Sequence, residues 1–439
     1  MNAPNQGRAL AHNVTPVSHL DLPGAGQVYV AGNYAYIGHL PNPQQLGTSI
    51  LDVSDPRKPR VVSQIFLDDP DSHSHKARVI GDIMIVNSER NMTPIGRKAE
   101  QLPPLRARLR ESLGREPKHA ELAEKLSVKE SDIPLVEAAE KKPYDRGGFR
   151  IFDVSDRTKP KFITHQKTGG IGVHRFDMDA NYAYISTEMP GYVGNILVIY
   201  DIRNPAKPQE VSRWWLPGQH TAGGEKPGWV GRRNRLHHAL RIGNRLWAGC
   251  WQAGVRVIDV SDIRKPRTIG EYNYHPPFPE PSHTFMGVPF PIDGKRIAIA
   301  IDEEDHAQSA EEMERRRGRP HGCLWVFDVT DLKKIQPLAI FEVSELDSPW
   351  SRAAPGRFGG HQFQEHMKDT LVYCAWFAGG LRIVDIADPF APREVGHYIP
   401  EPAAGKVAPQ TNDVDVDERG LVYIVDRYAG FDILEFKPR

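Results

Sequence analysis

Ile50-Leu51-Asp52-Val53-Ser54-Asp55-Pro56, with Pro59 just beyond, decides the fold. An apolar, β-rich run ends in Asp, and a Ser-Asp-Pro turn follows at once. Proline cannot donate to a central ladder, and Asp bonds its own backbone to set a turn, so the stretch reads as a strand with its stop. The same design returns as Ile151-Phe152-Asp153-Val154-Ser155-Asp156, Val198-Ile199-Tyr200-Asp201-Ile202, and Val257-Ile258-Asp259-Val260-Ser261-Asp262. Val326-Phe327-Asp328-Val329-Thr330-Asp331 and Ile383-Val384-Asp385-Ile386-Ala387-Asp388 continue it, and Phe431-Asp432-Ile433-Leu434-Glu435-Phe436 is a degenerate seventh copy.

Each run follows a glycine, among them Gly47, Gly194 and Gly380. Further upstream lies a second strand, visibly alike in Tyr34-Ala35-Tyr36-Ile37 and Tyr182-Ala183-Tyr184-Ile185. A shorter strand, such as Arg60-Val61-Val62-Ser63, follows each turn. Four strands per unit make a propeller blade. The chain stops after the third strand of its last unit, while Val14-Thr15-Pro16-Val17-Ser18-His19 matches the outer-strand pattern of Pro208-Gln209-Glu210-Val211-Ser212-Arg213. The expectation is an all-β, seven-bladed β-propeller spanning residues 1–439 as one domain, closed by the N-terminal strand. Closure removes free sheet edges. Residues 91–146 enter as a helical insertion in blade two, placed as a lid.

The repeat resembles that of the LVIVD-repeat propeller proteins, whose name spells the strand run quoted above, and the likeness covers nearly the whole chain. It implies the fold and leaves function open, since that family is defined by its repeat and propellers host many activities.

Lys plus Arg and Asp plus Glu are both 56 in 439 residues, so no long-range field gathers nucleic acid or anionic membrane. Leu105 to Leu113 and Ala120 to Leu126 have helical spacing, with Pro117 as a start signal. Gly114 to Leu126 resembles a helix-turn-helix piece of bacterial sigma factors, but Pro134 is expected to interrupt a recognition helix. Cys250, Cys323 and Cys374 are widely separated and read as buried thiols. A cytoplasmic location, a small-molecule substrate, no nucleic acid and no membrane are the expectations, with oligomeric state left open. No G-x-S-x-G elbow or P-loop is present.

Aligning the first two strands of each unit by their turn puts His75, His174 and His237 at one position in three consecutive blades, with His283 and His361 nearly there in the next two. Blade seven offers Asn412 and Asp413, and blade one only Gly26. A structural repeat residue recurs in every blade; these do not. Neutral imidazoles can share one transition-metal ion without forcing like charges together. The five histidines are therefore the expected ligands of one axial ion, with Fe or Cu favoured and Zn or Mn as the alternative. Carboxylates on the same face, Glu89, Glu188, Glu303, Glu304 and Asp305, supply second partners, and Glu89, Glu188 and Glu304 are the expected catalytic groups. The leading expectation is a metal-dependent oxidase or oxygenase acting on a small organic substrate. A metal-dependent hydrolase or lyase and a non-catalytic interaction scaffold are the alternatives. Trp251, Trp376, Phe377 and Tyr428 sit at corners of the same face, and the loop from Glu303 to His321, with its charged run, is expected to be a solvated helix.

Overall fold

A computed structural model describes residues 10–91, 94–229, 233–305, 314, 318–353 and 356–438. His306, Glu311, Glu312 and Arg315 to Arg317, on which the solvated helix of the second long loop was expected, lie outside the described residues. Among the described elements three α-helices lie in one insertion, the rest are strands and short 3-10 turns, and the chain is propeller-like.

Ala25–Ala31, Tyr34–His39, Leu46–Asp52 and Arg60–Phe66 form the first antiparallel meander. Its turn chemistry is the one the sequence specified. Asp52 Oδ1 accepts the Ser54 N–H at 3.0 Å and Asp55 Oδ1 the Arg57 N–H at 3.0 Å. Asp153, Asp201, Asp259, Asp328 and Asp385 each accept the N–H two residues on in the same way. A second repeated bond joins neighbours: Ser63 donates to the Arg157 carbonyl at 2.7 Å, and Ser212 to the Ile263 carbonyl at 2.6 Å. Each reaches from an outer strand to the proline turn of the next unit.

The N-terminal strand Val14–Pro23 pairs antiparallel with Ala429–Phe436, placing Val14 opposite Phe436 and His19 opposite Asp432. Its Ser18 donates to the Pro56 carbonyl at 2.6 Å, the bond that Ser63 and Ser212 make elsewhere. The sequence did not suggest that Leu10–His12 first lies on Arg393–Ile399, adding an edge strand to the preceding sheet. Apolar clusters fill the spaces between units. Phe149 and Ile151 meet Phe176 and Ile185, and Tyr423 and Phe431 meet Val28, Ile37 and Leu51.

The insertion follows strand Ile83–Arg90 and returns to strand Gly148–Asp153. Its helices are α1 (Pro94–Leu113), α2 (His119–Leu126) and α3 (Ile133–Lys141). Pro134 does not interrupt a helix: it lies in the first turn of α3, where a missing N–H costs nothing. Leu102, Leu122, Leu126, Ile133 and Val136 close a small core of their own. No described helix is long and apolar enough to cross a membrane. All three cysteines are buried and unpaired.

Candidate functional site

The innermost strand of the repeat carries a bulge, and the extra residue is the one the histidine alignment singles out. Val173 pairs with Thr187 and Arg175 with Ser186, which leaves His174 unpaired between them. Ser282 and Thr284 bracket His283, Ala25 and Gln27 bracket Gly26, and Thr411 and Asp413 bracket Asn412 in the same manner. A bulge re-aims a side chain, and here it breaks the strand alternation at one level in successive units. Gly26 has a reason to be glycine: a Cβ there would stand 2.5 Å from that of His75.

The five predicted histidines come together as one file of rings. Centroid separations are 5.2 Å from His75 to His174, 4.7 Å on to His237, 4.0 Å to His283 and 4.4 Å to His361. Their hydrogen bonds divide them. His174 Nδ1 lies 2.8 and 2.9 Å from the two Glu89 oxygens, and His237 Nδ1 donates to the His283 carbonyl at 2.9 Å. His361 Nδ1 donates to the Asn412 carbonyl. His283 Nδ1 donates to Thr284 Oγ1 at 2.7 Å, because that hydroxyl gives its own proton to Gln362 Oε1. A neutral ring with its proton on Nδ1 turns a lone pair outward on Nε2. Burial, aided by neighbouring cations, holds His237 and His283 well below the usual histidine range, so both stay neutral; burial does the same to His361 against the pull of Glu303.

His75 differs. Asn87 Oδ1 accepts the Lys76 N–H at 2.8 Å and its Nδ2 donates to the Val173 carbonyl at 2.9 Å, which fixes the amide. The same Nδ2 lies 3.0 Å from His75 Nδ1 and donates to it. The neutral His75 ring therefore carries its proton on Nε2, a buried atom without a partner among the described residues. It has no lone pair to offer there. Its neighbour His73 stacks on it at 5.0 Å and approaches Glu89 at 3.4 Å.

Among the predicted carboxylates, Glu89 is in the site. Burial alone would raise its carboxyl, but His174 and His73 carry it well below the usual range. Glu303 stands with His237 and His283, their ligand atoms all within 4.8 Å of one another, and Arg357 at 2.5 Å keeps it ionised against burial. Glu304, expected as catalytic, is spent on its loop: its oxygens accept from Phe358 N, Gly359 N and His321. Glu188 accepts the Ile171 N–H at 3.1 Å and caps the turn at Gly170. The position next to Glu304 is thus the one brought to the histidines.

Trp251 and Phe377 wall the ring on equivalent corners, 5.5 Å from His237 and 4.7 Å from His361. Both adopt positive φ, +49° and +30°, in a region bulky residues enter at a cost of about 1–3 kcal/mol. Arg233 and Arg235 cover Trp251, and Arg357 covers Phe377. Trp376 packs in the core against Phe341, and Tyr428 lies against Lys406.

One residue past the bulge lies a layer that the sequence reading did not assemble: Gln27, Lys76, Arg175, His238, Thr284, Gln362 and Asp413, all polar and all buried. Lys76 Nζ donates to Glu365 at 2.9 Å and lies 3.0 Å from His238 Nε2. Burial pushes Lys76 down to about 8 although Glu365 opposes it. Beyond, Arg78 ties Glu365 to Asp177, and with Tyr29 these line a surface cavity of about 410 Å³ at the far end of the same strands. Strict alternation would have put the residues after the histidines on the opposite face; the bulge brings both to the interior.

Comparison with solved structures supports a propeller-like fold and nothing further. A periplasmic gluconolactonase of Pseudomonas aeruginosa is 10% identical, with 93% of this chain and 89% of that one covered and a TM-score of 0.53. U3-55K is 7% identical, with 95% and 98% covered and a TM-score of 0.52. No curated protein matches the chain significantly. The LVIVD repeat is matched at residues 24–65, 178–214 and 369–399, which contain the strand runs ending in Asp52, Asp201 and Asp385. The strand unit that organises these sheets matches the LVIVD repeat in three regions of the chain, consistent with an LVIVD-repeat family.

Proposed function

We propose that seven units close into a seven-bladed propeller and that its axial histidines hold one transition-metal ion, making the chain a metal-dependent enzyme for a small organic substrate. Closure is supported by the pairing of Val14–Pro23 with Ala429–Phe436 and by the Ser18 bond to Pro56. The metal is carried by one observation: His174 Nε2 and His237 Nε2 are 2.8 Å apart, while both Nδ1 atoms face acceptors. Two lone pairs at that distance repel unless a shared proton or a metal ion lies between them. A buried, mostly imidazole donor set would suit Fe or Cu, with Zn or Mn as the alternative.

His174, His237, His283 and His361 are the ligands of this reading, and Glu303 completes or borders the set. Bound iron or copper would supply redox chemistry, and zinc or manganese a polarised water. Glu89 orients His174 and keeps its Nδ1 side occupied. Glu303, held ionised by Arg357, would supply negative charge beside the set. Trp251 and Phe377 shield the centre from water, and the helices of residues 91–146 cover it, anchored by Lys142 on Asp71 at 2.8 Å. A cytoplasmic location is part of the proposal, since unpaired thiols persist in reducing compartments. Elemental analysis and an absorption spectrum of untagged protein test it: about one Fe or Cu per chain is expected. Protein that binds neither of these nor Zn or Mn after dialysis against each would leave the interaction scaffold in front.

A further inference from the structure

The layer beneath the histidines contains a charge without a counterpart. Arg175 is 3% exposed, and its Nε and Nη1 have no partner among the described residues. Its Nη2 has only a long contact, 3.4 Å, to His283 Nε2. A guanidinium cannot shed its proton, and buried charges persist only when paired. The other ions of this region are already matched. Lys76 holds Glu365 at 2.9 Å, and Arg78 lies between Glu365 and Asp177, 3.0 Å from the latter.

Asp413 is the carboxyl of the same layer, and it does not bond Arg175. Its Oδ2 accepts the Val28 N–H at 3.0 Å, and its Oδ1 is buried without a partner. Burial raises it well above the usual carboxylate range, more strongly than Arg175 lowers it. His238 adds a buried Nδ1 with no partner, its Nε2 being turned to Lys76.

We infer that Arg175 holds the carboxylate of a small organic acid on the axis, directly under the histidine ring. The free Nε–H and the Nη2–H beside it form one edge of the planar guanidinium that matches the two oxygens of a carboxylate, a geometry that a spherical anion does not use, and Nη1 leaves a further donor. Asp413 and His238 remain for hydroxyl or carbonyl groups on the rest of the molecule. Because Nη2 already touches the edge of the histidine ring, an acid seated here reaches the centre proposed above. The identification of that acid as the substrate rests on the metal reading; the carboxylate site itself does not.

The test is calorimetric titration of the full-length protein with acetate, glycolate, acetamide and sodium chloride, with metal content measured on every sample. Acetate and glycolate are expected to bind, acetamide and chloride not, and Arg175→Gln is expected to weaken binding roughly ten- to a hundredfold. Arg175→Lys, which keeps the charge and loses the fork, is expected to fall between. Equal binding of chloride and acetate would overturn the carboxylate assignment, as would undiminished binding by Arg175→Gln. Absence of acetate binding by the wild-type chain overturns it whether or not the variants fold. Protein that takes up none of Fe, Cu, Zn and Mn yet binds acetate through Arg175 would end the metal reading and keep this one; metal-loaded protein that binds none would do the reverse.

Discussion

Tautomers distinguish residues that the alignment treats alike. His174, His237, His283 and His361 each face a proton acceptor at Nδ1, whereas His75 faces the Asn87 amide donor. On the proposed metal reading, replacing any of the first four with Ala removes a ligand, and a loss of metal affinity of at least about a hundredfold is expected by chelator competition. His75→Ala is expected to cost less than about tenfold, and His19→Ala and His397→Ala nothing. Glu89→Gln, which disturbs the partner of a ligand, should cost about ten- to a hundredfold. Equal losses at positions 75 and 237 would refute the division. The register of these histidines was legible in the sequence; the amide orientation was not, because it depends on Lys76 and Val173 backbone groups met only in three dimensions. His39 makes a separate prediction. Burial lowers it to about 4 from 6.5, against the opposing bond to Pro23. The unfolded chain then takes up the proton first, so stability is full above pH 6.5 and falls as pH drops toward 4, by roughly 3 kcal/mol. Urea unfolding at pH 7.5 and 5.0 measures it, and His39→Gln should flatten that part of the slope.

Strands and turns were readable because their causes are local. Asp52 and its five counterparts bond N–H groups two residues on, and in five of the six a proline follows within seven residues of the Asp, so a few residues suffice to specify the corner. Bulges were not readable. Nothing in Val173-His174-Arg175 announces that the middle residue is unpaired, since the register is set by Ser186 and Thr187 on the neighbouring strand. The polar layer through Arg175 and Asp413 was hidden for the same reason. Helices α1 to α3 are a different kind of element: Leu102, Leu122, Ile133 and Val136 pack on one another and not on the sheets. Replacing residues 92–145 with a short Gly-Asn turn should therefore leave the sheets folded, with thermal unfolding shifted by less than about 5 °C, while changing substrate access. Global unfolding on excision would show that the insertion supports the sheets it covers.

At the scale of the whole molecule, the proposed closure of the units into a ring rests on one strand. Neighbouring sheets share apolar clusters, and the cluster of Tyr423, Phe431 and Ile433 with Val28, Ile37 and Leu51 joins the last unit to the first. That contact survives only while Ala429–Phe436 is held, and the strand holding its outer edge is Val14–Pro23, from the opposite end of the chain. Leu10–His12 strengthens the grip by lying on the preceding sheet, so the N-terminal segment spans two units. Deleting residues 1–22 removes both pairings and the Ser18 bond to Pro56, and leaves a row of unpaired N–H and C=O groups from Phe431 to Phe436. A melting temperature lowered by at least about 5 °C and concentration-dependent association are expected. Losing the clamp should also loosen the axis, because Asn412, in the last unit, receives the His361 proton and donates to the Gly26 carbonyl of the first. Metal affinity is thus expected to fall in the truncated chain although no histidine of the ring has been touched. Unchanged melting and unchanged metal affinity would mean that the units stand without closure, and that the register of the histidines is set within each sheet alone.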